Sequence, residues 1–386
     1  MPPAVPKPTM TELLEPYLWP FVIALGVTIV MTPIVRAIAV AGRIYDQPDT
    51  RLKPHARPIP YLGGVAIYCG WAAGLLSMFW LMPAGLHPES REVLTYVLIA
   101  GTIMMLTGLM DDLVDLRPRT KLLFQLVAAG VLVYGDVGRG VLPMLVGWLK
   151  PEYLHPPEML ERVVSSGVTV LIVIAAGNAT NLIDGLDGLC SGVTGIICVG
   201  FAAIAAHLAA DGHNTRGDPV RLIIAFALLG SCLGFLRYNF NPAQVFMGDA
   251  GSLLLGFNAA VILLLFVERG VLRWFLGACM VFSLPVFDTA LAIMRRWLNG
   301  RPLMQGDRSH FYDQLRDRGF TVRQTVAIAY LLAAGLAAIG CLVIVVRTRY
   351  SVMIFMLVVA CVWLTVLRLG MLRMDHAPPP RANHQP

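Results

Sequence analysis

Eleven mostly apolar stretches divide the chain, approximately Tyr17 to Val40, Tyr61 to Leu81, Val93 to Met110, Lys121 to Gly135, Val163 to Leu182, Gly192 to Ala209, Val220 to Leu236, Ala250 to Val267, Val271 to Met294, Val322 to Val346 and Tyr350 to Leu369. Apart from the short fourth, each approaches the roughly 20 residues that a helix needs to cross hydrocarbon. Inside a bilayer an open sheet would leave backbone groups without partners, so these stretches must be helices. The predicted fold is therefore all-α: a polytopic integral membrane protein with about 11 transmembrane helices. Composition agrees, since 57% hydrophobic and 14% charged residues, with a mean hydropathy of +0.69 over 386 residues, exceed what one soluble core would use. Pro33, Pro285 and many glycines inside the stretches are compatible with intramembrane helices.

Sidedness follows from Lys and Arg. The loops after odd-numbered stretches carry the larger share of the 30 basic residues, which predicts that they face the cytoplasm. The net charge of +6 then reads as a basic rim attracted to anionic headgroups, and no nucleic-acid partner is predicted. Residues 1–16 are too acidic and proline-rich for a signal peptide and are expected to stay as an extracytoplasmic segment. Residues 17–370 read as a single transmembrane domain, and 371–386 as a disordered Pro-rich cytoplasmic tail. The seven cysteines are scattered without a CxxC pair, which suggests neither a disulfide framework nor a thiolate metal site.

Information concentrates in five polar segments. Asp46, Asp49, Arg51, Lys53 and His55 follow the first stretch, and "GLMDDLVDLRPRTK", with Asp111, Asp112, Asp115 and Lys121, follows the third. "GNATNLIDGLDGL", with Asn178, Asn181, Asp184 and Asp187, closes the fifth; "RYNFNPAQVFMGDAGS", with Asn239, Asn241 and Asp249, joins the seventh to the eighth. Asp307, Arg308, His310 and Asp313 follow the ninth. All five segments follow odd-numbered stretches, so they meet on one membrane face. Any single acid could be a solvated helix cap. In the Asn178–Asp187 segment, however, Asn and Asp recur at every third residue and form one stripe on a helix. An intramembrane acid costs roughly 2.5 to 3.5 kcal/mol, more than capping would justify. The adjacent Asp111 and Asp112 repel each other, and a bound divalent cation relieves that repulsion. Magnesium prefers a few carboxylate oxygens together with substrate phosphates. Lys53, Lys121 and Arg308 supply cations for acidic substrates from the same face. No GxxxxGKS occurs, so nucleotide-driven pumping has no support.

"GLMDDLVDLRPRTKLLFQ", "NATNLIDGLDGL", "FMGDAGS" and "DRSHFYDQL", in this order, resemble the polyprenyl-phosphate N-acetylhexosamine-1-phosphate transferases. The likeness runs from about Asp46 to Asp313. It implies a membrane enzyme of cell-envelope polysaccharide synthesis that moves a sugar 1-phosphate from a UDP-sugar to polyprenyl (undecaprenyl) phosphate and releases UMP. Magnesium is the implied cofactor, with manganese as an alternative ion. The resemblance places Asp111 and Asp112 at the reaction centre, gives Asp249 to the metal with Asn181 and Asp112 beside it, and puts Asp187 near the nucleotide base. Lys53 and Lys121 match basic residues of the site, with Asn178, Asp184, Arg308 and His310 as further substrate contacts. Relatives often carry two or three histidines where this chain has only His310, followed by Tyr312 and Asp313. The flanking segments look closer to the group that donates N-acetylglucosamine 1-phosphate than to the phospho-N-acetylmuramoyl-pentapeptide transferases. A homodimer is an assembly the sequence leaves open.

Attack of a phosphate monoester on a diphosphate brings anions together, so positioning and charge neutralisation must dominate catalysis. Direct attack, with Asp111 orienting or deprotonating the acceptor, and a covalent aspartyl-phosphate route both satisfy the sequence. A secondary transporter would also carry many helices and intramembrane acids, but it would hold them near the midplane in two matching halves, which are not seen here.

Overall fold

In the computed structural model, which describes residues 10–46, 58–81, 86–149, 157–210, 217–268, 270–300 and 310–372, nearly every element is a helix. A short helix α1 (Met10–Leu14) and a 3-10 turn (Glu15–Tyr17) lead into α2 (Leu18–Ala41). A two-residue antiparallel ribbon, β1 (Tyr45–Asp46) against β2 (Ile59–Pro60) with Tyr45 opposite Pro60, precedes α3 (Gly63–Leu81). Then follow α4 (Pro88–Val114), α5 (Pro118–Tyr134), α6 (Val141–Leu149), α7 (Glu158–Leu182), α8 (Leu189–Ala210), α9 (Gly217–Asn239) and α10 (Gly248–Val267). The chain continues through α11 (Leu272–Val281), α12 (Ser283–Leu298), α13 (Phe311–Asp317), α14 (Val322–Val345) and α15 (Thr348–Arg368).

Among the described residues nine helices are long and apolar enough to cross a membrane, and the bent pair α11–α12 supplies a tenth. The expected fourth span is α5, whose 17 residues extend only about 26 Å, just short of the hydrocarbon thickness. With α5 included and α11–α12 taken as one bent pair, each of the eleven stretches has its counterpart among the observed helices.

The ninth stretch differs from expectation in shape. Instead of one straight helix it forms α11 and α12, bent by 72° about Phe282. Pro285, in the first turn of α12, has no amide to continue the ladder from α11. The Ser283 hydroxyl instead donates to the Met280 carbonyl at 2.6 Å. The bend turns α12 so that its buried Asp288 meets His310 at the start of α13.

The core is organised around α10. Every residue from Ala250 to Val267 is buried, and the helix packs on α4, α7, α3 and α11. A helix that is apolar on all sides is stable only when enclosed. At the periphery, α15 buries only Ser351 and Val366 while Met353, Met356, Leu357 and Leu367 stand exposed, as lipid-facing side chains must. One end of α10 therefore forms a fixed point against which other helix ends can be set.

Candidate functional site

The paired acids close α4. Asp115 adopts a left-handed conformation (φ 51°), which asparagine and aspartate tolerate better than most residues, and it ends the helix. Pro118 then opens α5, where its missing amide costs nothing. The tight connection folds Asp111 back on itself: its Oδ1 accepts from the Leu116 amide at 2.8 Å. Lys121, in the first turn of α5, donates to Asp111 Oδ2 at 2.9 Å and also to Asp249 Oδ2. One ammonium thus bridges two carboxylates contributed by separate helices.

The start of α10 completes the arrangement. Asp112 Oδ1 accepts from the Asp249 amide at 2.8 Å, and Asp112 Oδ2 from the Ala250 amide at 3.1 Å. Gly248 sits at φ 65°, and a Cβ there would lie 2.4 Å from Asp112 Oδ2. Gly108, one turn before the paired acids, lets α4 approach the backbone of α10; a Cβ there would meet the Asp249 carbonyl oxygen at 2.2 Å. Asn181, at the end of α7, donates from Nδ2 to Asp249 Oδ1 at 2.8 Å and to Ser252 Oγ at 2.9 Å. With that nitrogen committed, the coordinating atom left to the Asn181 amide is its oxygen.

The three carboxylates, with Asn181 and Gly248, line an open cleft of about 880 Å³. Its walls include Asp46, Tyr61, Asp111, Asp112, Asn181, Asp184, Asp187 and Asp249. Residues from four of the five polar segments therefore converge at one end of the helix bundle. Burial first, and then the nearby carboxylates of Asp249, Asp112 and Asp187, hold the pKa of Asp184 well above the usual carboxylate range. Burial, with Asp112 the strongest of the neighbouring charges, likewise raises that of Tyr61. The cleft concentrates acidic side chains, and Lys121 offsets two of them, Asp111 and Asp249. Among the described residues no group of three or more carboxylate, imidazole or thiolate side chains is arrayed to hold a metal ion by itself. The available donors are hard oxygens spread along a wall, the donor type that magnesium shares with phosphate oxygens.

The remaining predicted residues fall in different places. Asp187 lines the cleft, but its Oδ2 accepts from Asn241 Nδ2 at 2.9 Å and from the Ala243 amide at 3.0 Å. Asn239 is buried and ties the Gly188 amide to the Val245 carbonyl. These asparagines join the loop before α8 to the loop before α10. Asn178 lies one turn deeper than Asn181, bonded to Gln125 Oε1 at 2.9 Å, and does not line the cleft. His310 is also absent from the lining. It is buried with Nδ1 2.7 Å from Asp288 Oδ2, and its ring stacks on Tyr312, whose hydroxyl donates to the Leu182 carbonyl. Lys53 and Arg308, like Asp49, Arg51, His55 and Asp307, lie outside the described residues. Tyr61 and Asp288 are additions to the sequence reading. Tyr61 carried no signal as a phenol beside a turn, whereas Asp288, an acid inside an apolar stretch, is the kind of residue that intramembrane cost marks for a role.

A helix bundle with an acidic, lysine-bridged cleft at one end, bordered by the exposed apolar side chains of Leu113 and Val114, defines a polytopic membrane protein with a site at its polar boundary. Residues 94–267, from α4 through α10, match Glycosyl transferase family 4. The chain is 34% identical over 81% of its length, and 80% of the relative's, to the probable undecaprenyl-phosphate N-acetylglucosaminyl 1-phosphate transferase of Bacillus subtilis. It is 32% identical to the decaprenyl-phosphate N-acetylglucosaminephosphotransferase of Mycolicibacterium smegmatis, over 81% of this chain and 78% of that one. It is 30% identical to the undecaprenyl-phosphate alpha-N-acetylglucosaminyl 1-phosphate transferase of Escherichia coli K12, over 80% and 78% respectively. The chain belongs to glycosyl transferase family 4.

Proposed function

We propose that the protein transfers N-acetylglucosamine 1-phosphate from UDP-N-acetylglucosamine to polyprenyl phosphate, undecaprenyl phosphate in a bacterial membrane, and releases UMP. The observation that carries this reading is the meeting of Asp111, Lys121 and Asp249 in a cleft whose rim includes Leu113 and Val114. One substrate is a lipid and the other is soluble, so a site for both belongs where apolar helix surface gives way to polar loop. The names of the relatives, each an N-acetylglucosaminyl 1-phosphate transferase acting on a polyprenyl phosphate, support the same choice of acceptor and sugar.

In the direct reaction an acceptor phosphate oxygen forms a bond to the sugar-bearing phosphorus while the bond from that phosphorus to the UMP oxygen breaks. Both partners are anions, and the role we assign to Lys121 is to leave its carboxylates for the incoming phosphates and offset their charge. Asp111, aimed by the Leu116 amide, orients the acceptor phosphate or takes its proton. Asp249 and the Asn181 amide oxygen would hold magnesium, or manganese in its place, with phosphate oxygens completing the shell. When bound, the ion neutralises charge gathering on the departing UMP. The cleft faces the cytoplasm in this reading, following the basic bias of its loops.

The test is exchange of radiolabelled UMP into UDP-N-acetylglucosamine by detergent-purified protein with undecaprenyl phosphate and magnesium. Wild-type exchange that is lost in folded Asp111→Asn and Asp249→Asn variants supports the assignment; a wild type without exchange for any of a panel of UDP-sugars refutes it.

A further inference from the structure

We propose that Asp112 is a positioning residue whose carboxylate clamps the first backbone amides of α10 and thereby aims Asp249, leaving Asp111 as the member of the pair that meets the reacting phosphates. This rests on the transferase reading for its consequence, although the clamp itself is a matter of geometry.

The two acids are adjacent in sequence and differ in their partners. Asp111 is held by the loop amide of Leu116 and by the ammonium of Lys121, a long side chain that a competing anion can draw away. Asp112 has one oxygen on the Asp249 amide and the other on the Ala250 amide. Helix-terminal amides lack partners within their own helix and sit at the positive end of its dipole, so a carboxylate there is held by charge as well as by hydrogen bonds. The enclosed part of α10 begins at Ala250, while Gly248 and Asp249 are only half-buried, so the first turn is the part of the helix that the clamp has to hold.

The clamp is braced from behind. The Asp112 carbonyl accepts from the Tyr61 hydroxyl at 2.5 Å. Tyr61 forms a parallel bridge with Phe246, and the Gly63 and Gly64 amides donate to the Phe246 and Met247 carbonyls, each at 2.9 Å. The starts of α3 and α10 and the end of α4 thus form one junction. Gly248 is the residue that lets the Asp112 carboxylate reach it, since a Cβ there would fall on the carboxylate. Asp249 projects from this junction, so whatever holds the first turn of α10 also sets the direction of its carboxylate.

The experiment pairs Asp112→Asn with amide hydrogen exchange on metal-free, substrate-free protein. An asparagine oxygen can accept from one of the two amides while its NH2 group opposes the other. We expect exchange at the 249 and 250 amides to quicken by about tenfold or more, and kcat to fall by roughly ten- to a hundredfold, the scale of a misplacement of about 1 Å. The pH profile of kcat should keep both limbs, because no proton carrier has been removed. Loss of a limb, unchanged exchange at those amides, or wild-type kcat would each overturn the proposal. If Asp112→Asn does not fold, Tyr61→Phe tests the same junction: faster exchange at 249 and 250 is expected, and unchanged exchange overturns the clamp. A wild type without transferase activity would refute the functional reading alone, since exchange reports on the junction without turnover.

Discussion

Replacing Lys121 with methionine should expose what its ammonium does before any substrate binds. The side chain is 16% exposed and contacts Asp111, 16% exposed, and Asp249, 29% exposed. Removing one partner of a fully buried ion pair costs about 3–5 kcal/mol, and hydrogen bonds to charged groups contribute about 1.5–3 kcal/mol. Water reaches this cleft, so the lower range applies and a destabilisation of about 2 kcal/mol is expected. In a chain of this size that is a fall of a few degrees in Tm. The variant should also respond differently to divalent cations. With the ammonium gone, magnesium or manganese meets two unneutralised carboxylates, and each tenfold gain in affinity adds about 1.4 kcal/mol of ligand stabilisation at saturating ion. Melting curves of wild type and Lys121→Met in the same detergent, with and without millimolar ion, provide the assay. A metal-free variant that melts with the wild type, or that gains no more from the ion, would refute the counter-ion reading.

Other outcomes are equally specific. Gly108→Ala puts a methyl where the Asp249 carbonyl lies 2.2 Å away, so α4 and α10 must part; UMP exchange should drop by about tenfold or more if placement governs rate. Asp288→Ala should lower Tm, because it strips the partner from the His310 ring and from the Phe311 amide; the loss expected for a buried hydrogen-bonded charge is roughly 3 kcal/mol. Burial lifts the Asp313 pKa from 3.8 to about 6. The unfolded chain then binds fewer protons than the folded one in that interval, so this residue's contribution to stability falls as pH rises from about 4 to about 6 and is flat above. Stability of Asp313→Asn, subtracted from that of the wild type across the interval, should isolate that slope; a flat difference would remove Asp313 as its source.

Much of the architecture was legible because hydropathy is a strong signal over twenty residues and a bilayer admits few solutions. The α5 span and the paired helices α11 and α12 show the limits of that signal. Pro285 was visible, but whether a proline bends a helix depends on how the freed carbonyls find partners, here in part through the Ser283 hydroxyl. The convergence of Asp111, Asp112, Asn181, Asp184, Asp187 and Asp249 followed from counting spans and is observed as one cleft. What counting could not separate was the work of neighbouring acids. Asp111 and Asp112 are alike in sequence, and the difference between them arises from α10, 137 positions away along the chain. Asn178 illustrates the reverse case: the stripe it shares with Asn181 is real, yet one helical turn takes it from the cleft to a contact with Gln125. Asp288 was visible as an acid within an apolar run, but its partner depended on the bend that brings it to His310.

The enclosure of α10 constrains how the protein can move during turnover. A helix surrounded on every side cannot slide or rotate without repacking the whole bundle, so the carboxylate at its head serves as a stationary reference. Any tightening around bound substrates must come from peripheral pieces such as the β1–β2 ribbon, the α4–α5 corner and α13. Substitutions that loosen those pieces should alter how substrates are captured and let go, whereas substitutions in the enclosed run from Ala250 to Val267 should be felt as changes in the integrity of the protein itself.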